Sequence, residues 1–313
     1  MGKLKTLHQA AAEGDLDMVQ ELLDCGEPMD KPDLLPSTLL NGAERARRGE
    51  REQMLRIRNL TTDKTAEDEW TPLHTASYYD KAEVVRLLLA RGANISQTSP
   101  GGNSALHLAA CSGALDVVGL LTEHVEDVNQ ANETGHTPLH FAVYHGREKI
   151  VRFLLTHCAD CEKAAKKGYS VLHEAVFGGA AGVLRLLLDR GMDIEAVDLY
   201  GVTPLFFAAF SGKREIMEIL LRRGADYIKV TEWESTLLHA AASGGSLQTV
   251  NFVSKRFRDI DQLNDDEKTP LYYAALERSG PSGTNSYCKR GEYRQNQQGR
   301  EYPASHCSNG GST

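Results

Sequence analysis

The chain has 313 residues, a formal net charge of -8 and a sequence pI of about 5.8. That acidic balance speaks against nucleic acid as the main partner, because phosphate binding needs a basic footprint. Six cysteines (Cys25, Cys111, Cys158, Cys161, Cys288 and Cys307) are scattered instead of forming a dense framework, which predicts a reducing compartment, cytosol or nucleus. No apolar run approaches a membrane span and the first residues carry no signal-peptide core, so any membrane contact is expected to be peripheral.

Lys5-Thr6-Leu7-His8, with Ala10, Ala11 and Gly14, reads as a short helix and its turn; residues 18–23 read as a second helix ending at Gly26. Thr38-Leu39-Leu40-Asn41-Gly42-Ala43 repeats part of that pattern, which then degrades. Arg47 stands where the turn needs glycine, and Arg51 and Glu52 stand where a second helix would bury aliphatic residues. Met54, Leu55, Ile57 and Leu60 still offer an apolar face to a shifted helix, and the acidic residues 63–69 suit a loop. Because the spacing is kept to the residue, a degenerate unit over 38–70 is expected in preference to an inserted linker.

From Trp70 the pattern is regular. Thr71-Pro72-Leu73-His74, Ser104-Ala105-Leu106-His107, Thr137-Pro138-Leu139-His140, Ser170-Val171-Leu172-His173, Thr203-Pro204-Leu205-Phe206, Thr236-Leu237-Leu238-His239 and Thr269-Pro270-Leu271-Tyr272 begin 33 residues apart. In each, Thr or Ser can cap a helix by accepting from an orphan amide, and proline has no amide to orphan at the first helical position. Gly113, Gly146, Gly179, Gly212 and Gly245 follow nine residues after their unit starts and end the first helix. Asp80 takes that place in one unit and is expected to adopt the left-handed conformation. Ile150, Val151, Leu154 and Leu155 mark the buried face of a second helix. Gly92-Ala93 and Gly224-Ala225 close second helices, whereas Val125 and Phe257 replace the closing glycine, so their loops must turn differently. The last unit starts well at Thr269, but residues 279–313 contain no Val, Ile, Leu, Met or Phe and are expected to be a disordered polar tail. The array therefore reads as incomplete at its C-terminal end, as a shortened form of a longer protein would be.

The T-P-L-H-x-A signature at a 33-residue period resembles the ankyrin repeat family. The resemblance implies an all-α solenoid of helix–turn–helix–loop units with hairpin loops: about nine repeats over 1–278, with 38–70 degenerate and 269–278 incomplete. It also implies that the signature histidines His8, His74, His107, His140, His173 and His239 hydrogen-bond within and between the turns. One per unit, they lie too far apart to share a metal ion. Cys158-Ala159-Asp160-Cys161 lacks the second ligand pair of a closed zinc site, and no phosphate loop or nucleophile elbow is present. No catalytic residue, metal or cofactor is expected, and no small-molecule substrate.

The sharper signal is the column seven residues after each start: Tyr78, Cys111, Tyr144, Phe177, Phe210 and Ser243. In ankyrin arrays this position lies along the concave groove. Tyr79 and His145 widen the column, and Trp70, His136, Tyr169, Tyr200 and Trp233 stand at the loop tips. Aromatic anchors with polar surroundings suit a protein or peptide partner; packing between neighbouring first helices is the other account of the same rings. The expectation is a monomeric, non-enzymatic scaffold. A second candidate surface is the basic cluster Arg45, Arg47, Arg48, Arg51, Arg56 and Arg58, which would make an electrostatic adaptor for anionic lipid or nucleic acid, or simply a solvated charged helix.

Overall fold

The computed structural model describes residues 6–30 and 70–278. Among the described residues there are fifteen α-helices and no named strand. They come as consecutive pairs: α1 (Leu7–Glu13) with α2 (Leu16–Asp24), α3 (Pro72–Tyr78) with α4 (Ala82–Ala90), α5 (Ala105–Ser112) with α6 (Leu115–Thr122), and α7 (Pro138–Tyr144) with α8 (Glu148–Thr156). The series continues with α9 (Val171–Gly178) and α10 (Ala181–Asp189), α11 (Pro204–Phe210) and α12 (Arg214–Arg222), and α13 (Leu237–Ser243) and α14 (Leu247–Ser254), and closes on α15 (Pro270–Arg278).

The signature builds each first helix and also ties it to the next. Thr71, Ser104, Thr137, Ser170 and Thr236 hold extended backbone at the N-cap, and the histidine three residues on completes a capping box. Nδ1 of His74, His107, His140, His173 and His239 accepts the cap residue's amide at 3.1–3.2 Å. With Nδ1 an acceptor, the ring proton sits on Nε2, which in three units donates to a carbonyl of the following unit. His107 reaches His136, His173 reaches Val202 and His239 reaches Lys268, each at 3.0 Å. The histidines are thus structural staples, as the resemblance implied.

The apolar positions behave as the period requires. Leu73, Leu106, Leu139, Leu172, Leu205 and Leu238 are buried in the first helices, and Val84, Val118, Ile150, Leu154, Leu184 and Leu220 in the second. Each such side chain stabilises the fold by about 1.5–3 kcal/mol, and does so against its own unit and the adjacent ones only. First helices pack on first helices more closely than second helices do on second helices. The array therefore curves toward its first-helix side. Asp80 does take the left-handed conformation (φ 57), whereas Val125 and Phe257 do not, so their loops turn without it.

The first unit meets the next described unit across a longer stretch of sequence than the others do. His8 bonds the carbonyl of Trp70 62 residues on, where His107 spans 29. Arg91 pairs with Asp24 across 67 residues, where Arg223 and Asp189 are 34 apart. The Asn94 amide donates to Asp30 across 64, where that of Asp160 donates to Asn129 across 31. Each spans 33 residues more than its counterpart, and α1 packs directly on α3. The first unit and the unit starting at Thr71 are direct neighbours. The degenerate repeat expected at 38–70 lies outside the described residues apart from Trp70, as does the tail expected at 279–313.

The loops that lead into the first helices form hairpin tips joined from unit to unit. The amides of Glu133, Lys166, Leu199, Glu232 and Asp265 donate to the carbonyls of Gly101, Thr134, Lys167, Tyr200 and Trp233. Four of these tips, all but the one at Ala165, are held internally by a side-chain acceptor, Thr231 in one of them. Asn132 accepts from the amides of Thr134 and His136, and Asn264 from those of Asp266 and Lys268. Asp198 does the same for Tyr200 and Val202 at 2.9 and 3.0 Å. It is only 5% exposed, and burial raises its pKa to about 6 from the ordinary 3.8.

A folded-state pKa above the unfolded one favours folding fully below pH 4, and that contribution is lost as pH rises through 6. Asp198→Asn keeps both acceptor bonds, as Asn132 and Asn264 do, and removes the buried charge. It should raise stability by about 1–3 kcal/mol at pH 7 and change little near pH 3.5. Urea unfolding of the two proteins at both pH values measures this.

Candidate functional site

The inner side of the array carries a strip of rings, most of them half-buried, drawn from four positions per unit. These are the residue before the N-cap, the fourth residue after it, the seventh and the eighth. Trp70 lies 5.2 Å from Tyr78, and Tyr78 stands edge-on to Tyr79 at 5.3 Å. Tyr79 is the most exposed of this group at 36%. Tyr144 stands edge-on to His145 at 5.0 Å, and Nε2 of His145 lies 3.1 Å from Sγ of Cys111 in the preceding unit. Further along, Tyr169, Phe177 and Phe207 make a three-ring cluster with centroid distances of 5.4, 5.8 and 4.5 Å. Phe210 is half-buried against the core.

Two residues of this strip, Phe141 and Phe207, escape a reading that follows only the seventh position. Phe141 packs edge-on to His107 at 5.3 Å and Phe207 to His173 at 5.7 Å, each across a unit boundary. The signal for them is the 33-residue series Thr75, Leu108, Phe141, Glu174, Phe207, Ala240 and Tyr273. Rings from adjacent units touch one another and still keep part of their surface open, so packing and exposure are both properties of the strip.

Glu174 is the exception in that series. Its side chain is 1% exposed and its carboxylate lies 3.3 Å from Nε2 of His136. His136 is held from its other nitrogen by Thr134, with Oγ1 2.8 Å from Nδ1, and its ring meets His140 edge-on at 5.5 Å. His136 therefore belongs to a polar network under the strip. Basic side chains close the helix ends beside it. Nε of Arg147 donates to the Cys111 carbonyl at 3.0 Å and Nζ of Lys213 to the Phe177 carbonyl at 2.8 Å, complementing the negative C-terminal ends of α5 and α9.

The tip aromatics divide. Tyr200 and Trp233 stack on each other with centroids 5.5 Å apart and planes 28° apart, and Trp233 is only 6% exposed. Trp233 is a packing residue of the tips and not an anchor presented to a partner; tip-to-tip hydrogen bonding brings Tyr200 over it and covers it. Arg45, Arg47, Arg48, Arg51, Arg56 and Arg58 lie outside the described residues.

Cys158 is exposed with φ 61, Cys161 is half-buried, and burial raises the Cys161 thiol pKa. Among the described residues no three His, Cys, Asp or Glu side chains come together in a group that could hold a metal ion, and no helix is long and apolar enough to cross a membrane. On the second-helix side, a cavity of 540 Å³ between α12 and α14 is lined by Glu218, Arg222, Tyr227, Phe252 and Arg256, among others.

The sequence model of the family described as Ankyrin repeats matches three times, over residues 7–132, 96–167 and 157–231. Among solved structures, the crystal structure of the human ASB11 ankyrin repeat domain is similar, with 27% sequence identity and a TM-score of 0.57. The match covers 68% of this chain and all of that one (100%). No curated protein matches the chain at a significant level.

Proposed function

Since the chain belongs to the ankyrin repeat family, whose repeats are general protein–protein interaction modules, we propose that it is a scaffold that seats a partner peptide or domain along the ring strip of its first-helix side. The observation that carries this reading is the convergence of half-buried and exposed aromatic residues from several units: Trp70, Tyr78 and Tyr79, then Tyr144 and His145, then Tyr169, Phe177 and Phe207, with Phe210 beyond. Rings already held on one side lose little conformational freedom when a partner covers the other, which is what binding hot spots need. A stack of units keeps them at fixed spacing along an inward-curving surface. An extended segment or a helix fits along such a strip. Ankyrin repeats are in general interaction domains and not enzymes, which supports a binding surface as the working part of this chain.

Tyr79→Ala combined with Tyr144→Ala should weaken capture of the chain's partner about tenfold or more, with helicity and melting temperature close to the parent's. These two rings are the better choice because Phe177 and Phe207 also pack on each other across a unit boundary. Circular dichroism and titration of the captured partner read the two effects separately. Undiminished capture by a folded double variant would remove the groove reading, and lost helicity would show that the rings belong to the core.

A further inference from the structure

From the contact between Cys111 and His145 we infer that Cys111 is a reactive modification site, a thiol–imidazole pair that exchanges with small disulfides. The two side chains come from different units, 34 residues apart in sequence, and meet with Sγ 3.1 Å from Nε2. That is hydrogen-bond distance for a thiol and an imidazole, and it is the geometry by which a neighbouring base activates a cysteine nucleophile. Cys111 is half-buried, on the ring strip and so within reach of a small molecule.

Its place near the C-terminal end of α5 would by itself oppose a thiolate, because helix carbonyls point there. The next unit offsets this. The Nε of Arg147 donates to the Cys111 carbonyl at 3.0 Å, so a guanidinium sits at the helix end that Cys111 occupies. A thiol next to His⁺ and Arg is the microenvironment in which thiolates form. The other described cysteines are placed differently: Cys25 and Cys158 are more exposed, and Cys161 lies beside Glu162 and Asp160, which disfavour its thiolate further.

The disulfide itself is the oxidant, so the step balances. The thiol proton passes from Sγ to Nε2 of His145, and the thiolate attacks one sulfur of a low-molecular-weight disulfide of the glutathione disulfide class. The new S–S bond forms as the old one breaks, and the departing thiolate takes the proton back from the imidazolium. Cys111 sulfur is oxidised and the departing sulfur is reduced.

The test treats the full chain near pH 7 with limiting glutathione disulfide and follows every cysteine by peptide mapping and mass spectrometry. An ordinary thiol is only a few per cent thiolate at that pH, so an activated one has about tenfold to gain. Cys111 should be modified about tenfold faster than either Cys25 or Cys158, despite their greater exposure. His145→Gln should bring its rate to within about twofold of theirs. A Cys111 rate no greater than that of Cys25 overturns the inference on the unaltered protein alone, whatever the variant does. An undiminished lead in folded His145→Gln overturns it as well. Because the readout is adduct mass and not partner binding, the result is independent of the scaffold reading.

Discussion

Gly178→Ala should disrupt the middle of the array. A Cβ added at Gly178 would lie 1.7 Å from the carbonyl oxygen of Tyr144 and 2.6 Å from its carbon. These are main-chain atoms of the preceding first helix, so no flexible side chain can move aside. α7 and α9 would have to separate by more than an ångström, opening the contact through which the two halves of the stack are coupled. Overpacking of a core usually costs about 1–3 kcal/mol, and backbone against backbone belongs at or above the top of that range, about 3 kcal/mol or more.

Since stability in a repeat array is a chain of neighbour terms, the variant should also split one unfolding transition into two. Gly182→Ala is the contrast. In α10 the added Cβ would meet only Oε2 of Glu148, at 3.4 Å, and removing a helical glycine should stabilise by about 0.5–1 kcal/mol. Urea unfolding of both variants decides the matter. If they behave alike, α9 does not pack on α7 as described.

Acid should unfold the protein through its signature histidines. His74, His107 and His140 stand in three successive units with their rings buried, and burial lowers each pKa from 6.5 to about 4. Each is needed neutral, with Nδ1 accepting inside its turn. Protonation would turn that acceptor into a donor facing the cap residue's amide. The folded pKa lies below the unfolded one. The stabilising contribution is therefore complete above about pH 6.5 and is lost as pH falls from there toward 4.

At pH 5 each histidine has lost about 2 kcal/mol, so the three together remove on the order of 5 kcal/mol. Asp198 acts in the opposite direction between pH 6 and 4 and offsets only part of this. The urea midpoint should therefore fall steeply between pH 7 and 5. Nature supplies a comparison in Phe206, which occupies the histidine position in the unit capped by Thr203. His107→Phe should be less stable at pH 7, having lost the ring's hydrogen bonds to Ser104 and His136, but lose less on acidification. An unchanged slope would mean that His107 does not carry the acid response.

Much of this architecture is legible in the sequence because the cap residues, the histidine and the buried Leu are set by local chemistry at a fixed period. Thr137-Pro138-Leu139-His140 specifies a helix start wherever it stands. What escapes is decided by which units touch. Residues 38–70 match the period in length, so nothing in the spacing reveals that the first unit stacks directly on the unit beginning at Thr71; the long-range contacts of His8, Arg91 and Asn94 do.

Trp233 reads like an exposed tip ring, yet its burial depends on Tyr200, one unit away. Gly178 reads as one small residue among Tyr79, Ser112, His145 and Ser211 at the same position of other units. Its importance lies in how closely α9 approaches α7, a distance no single unit encodes. The ring strip was half legible for a similar reason. Its seventh-position column follows the period, while Phe141 and Phe207 join it through contacts across units.

The most direct test of the scaffold account is site-specific photocrosslinking in cells, with p-benzoylphenylalanine placed at Tyr144 on the first-helix side or at Arg185 on the exposed face of α10. The account predicts discrete adducts with a partner polypeptide from position 144 and none from position 185. Adducts from position 185, with none from 144, would place the partner on the second-helix side and contradict it.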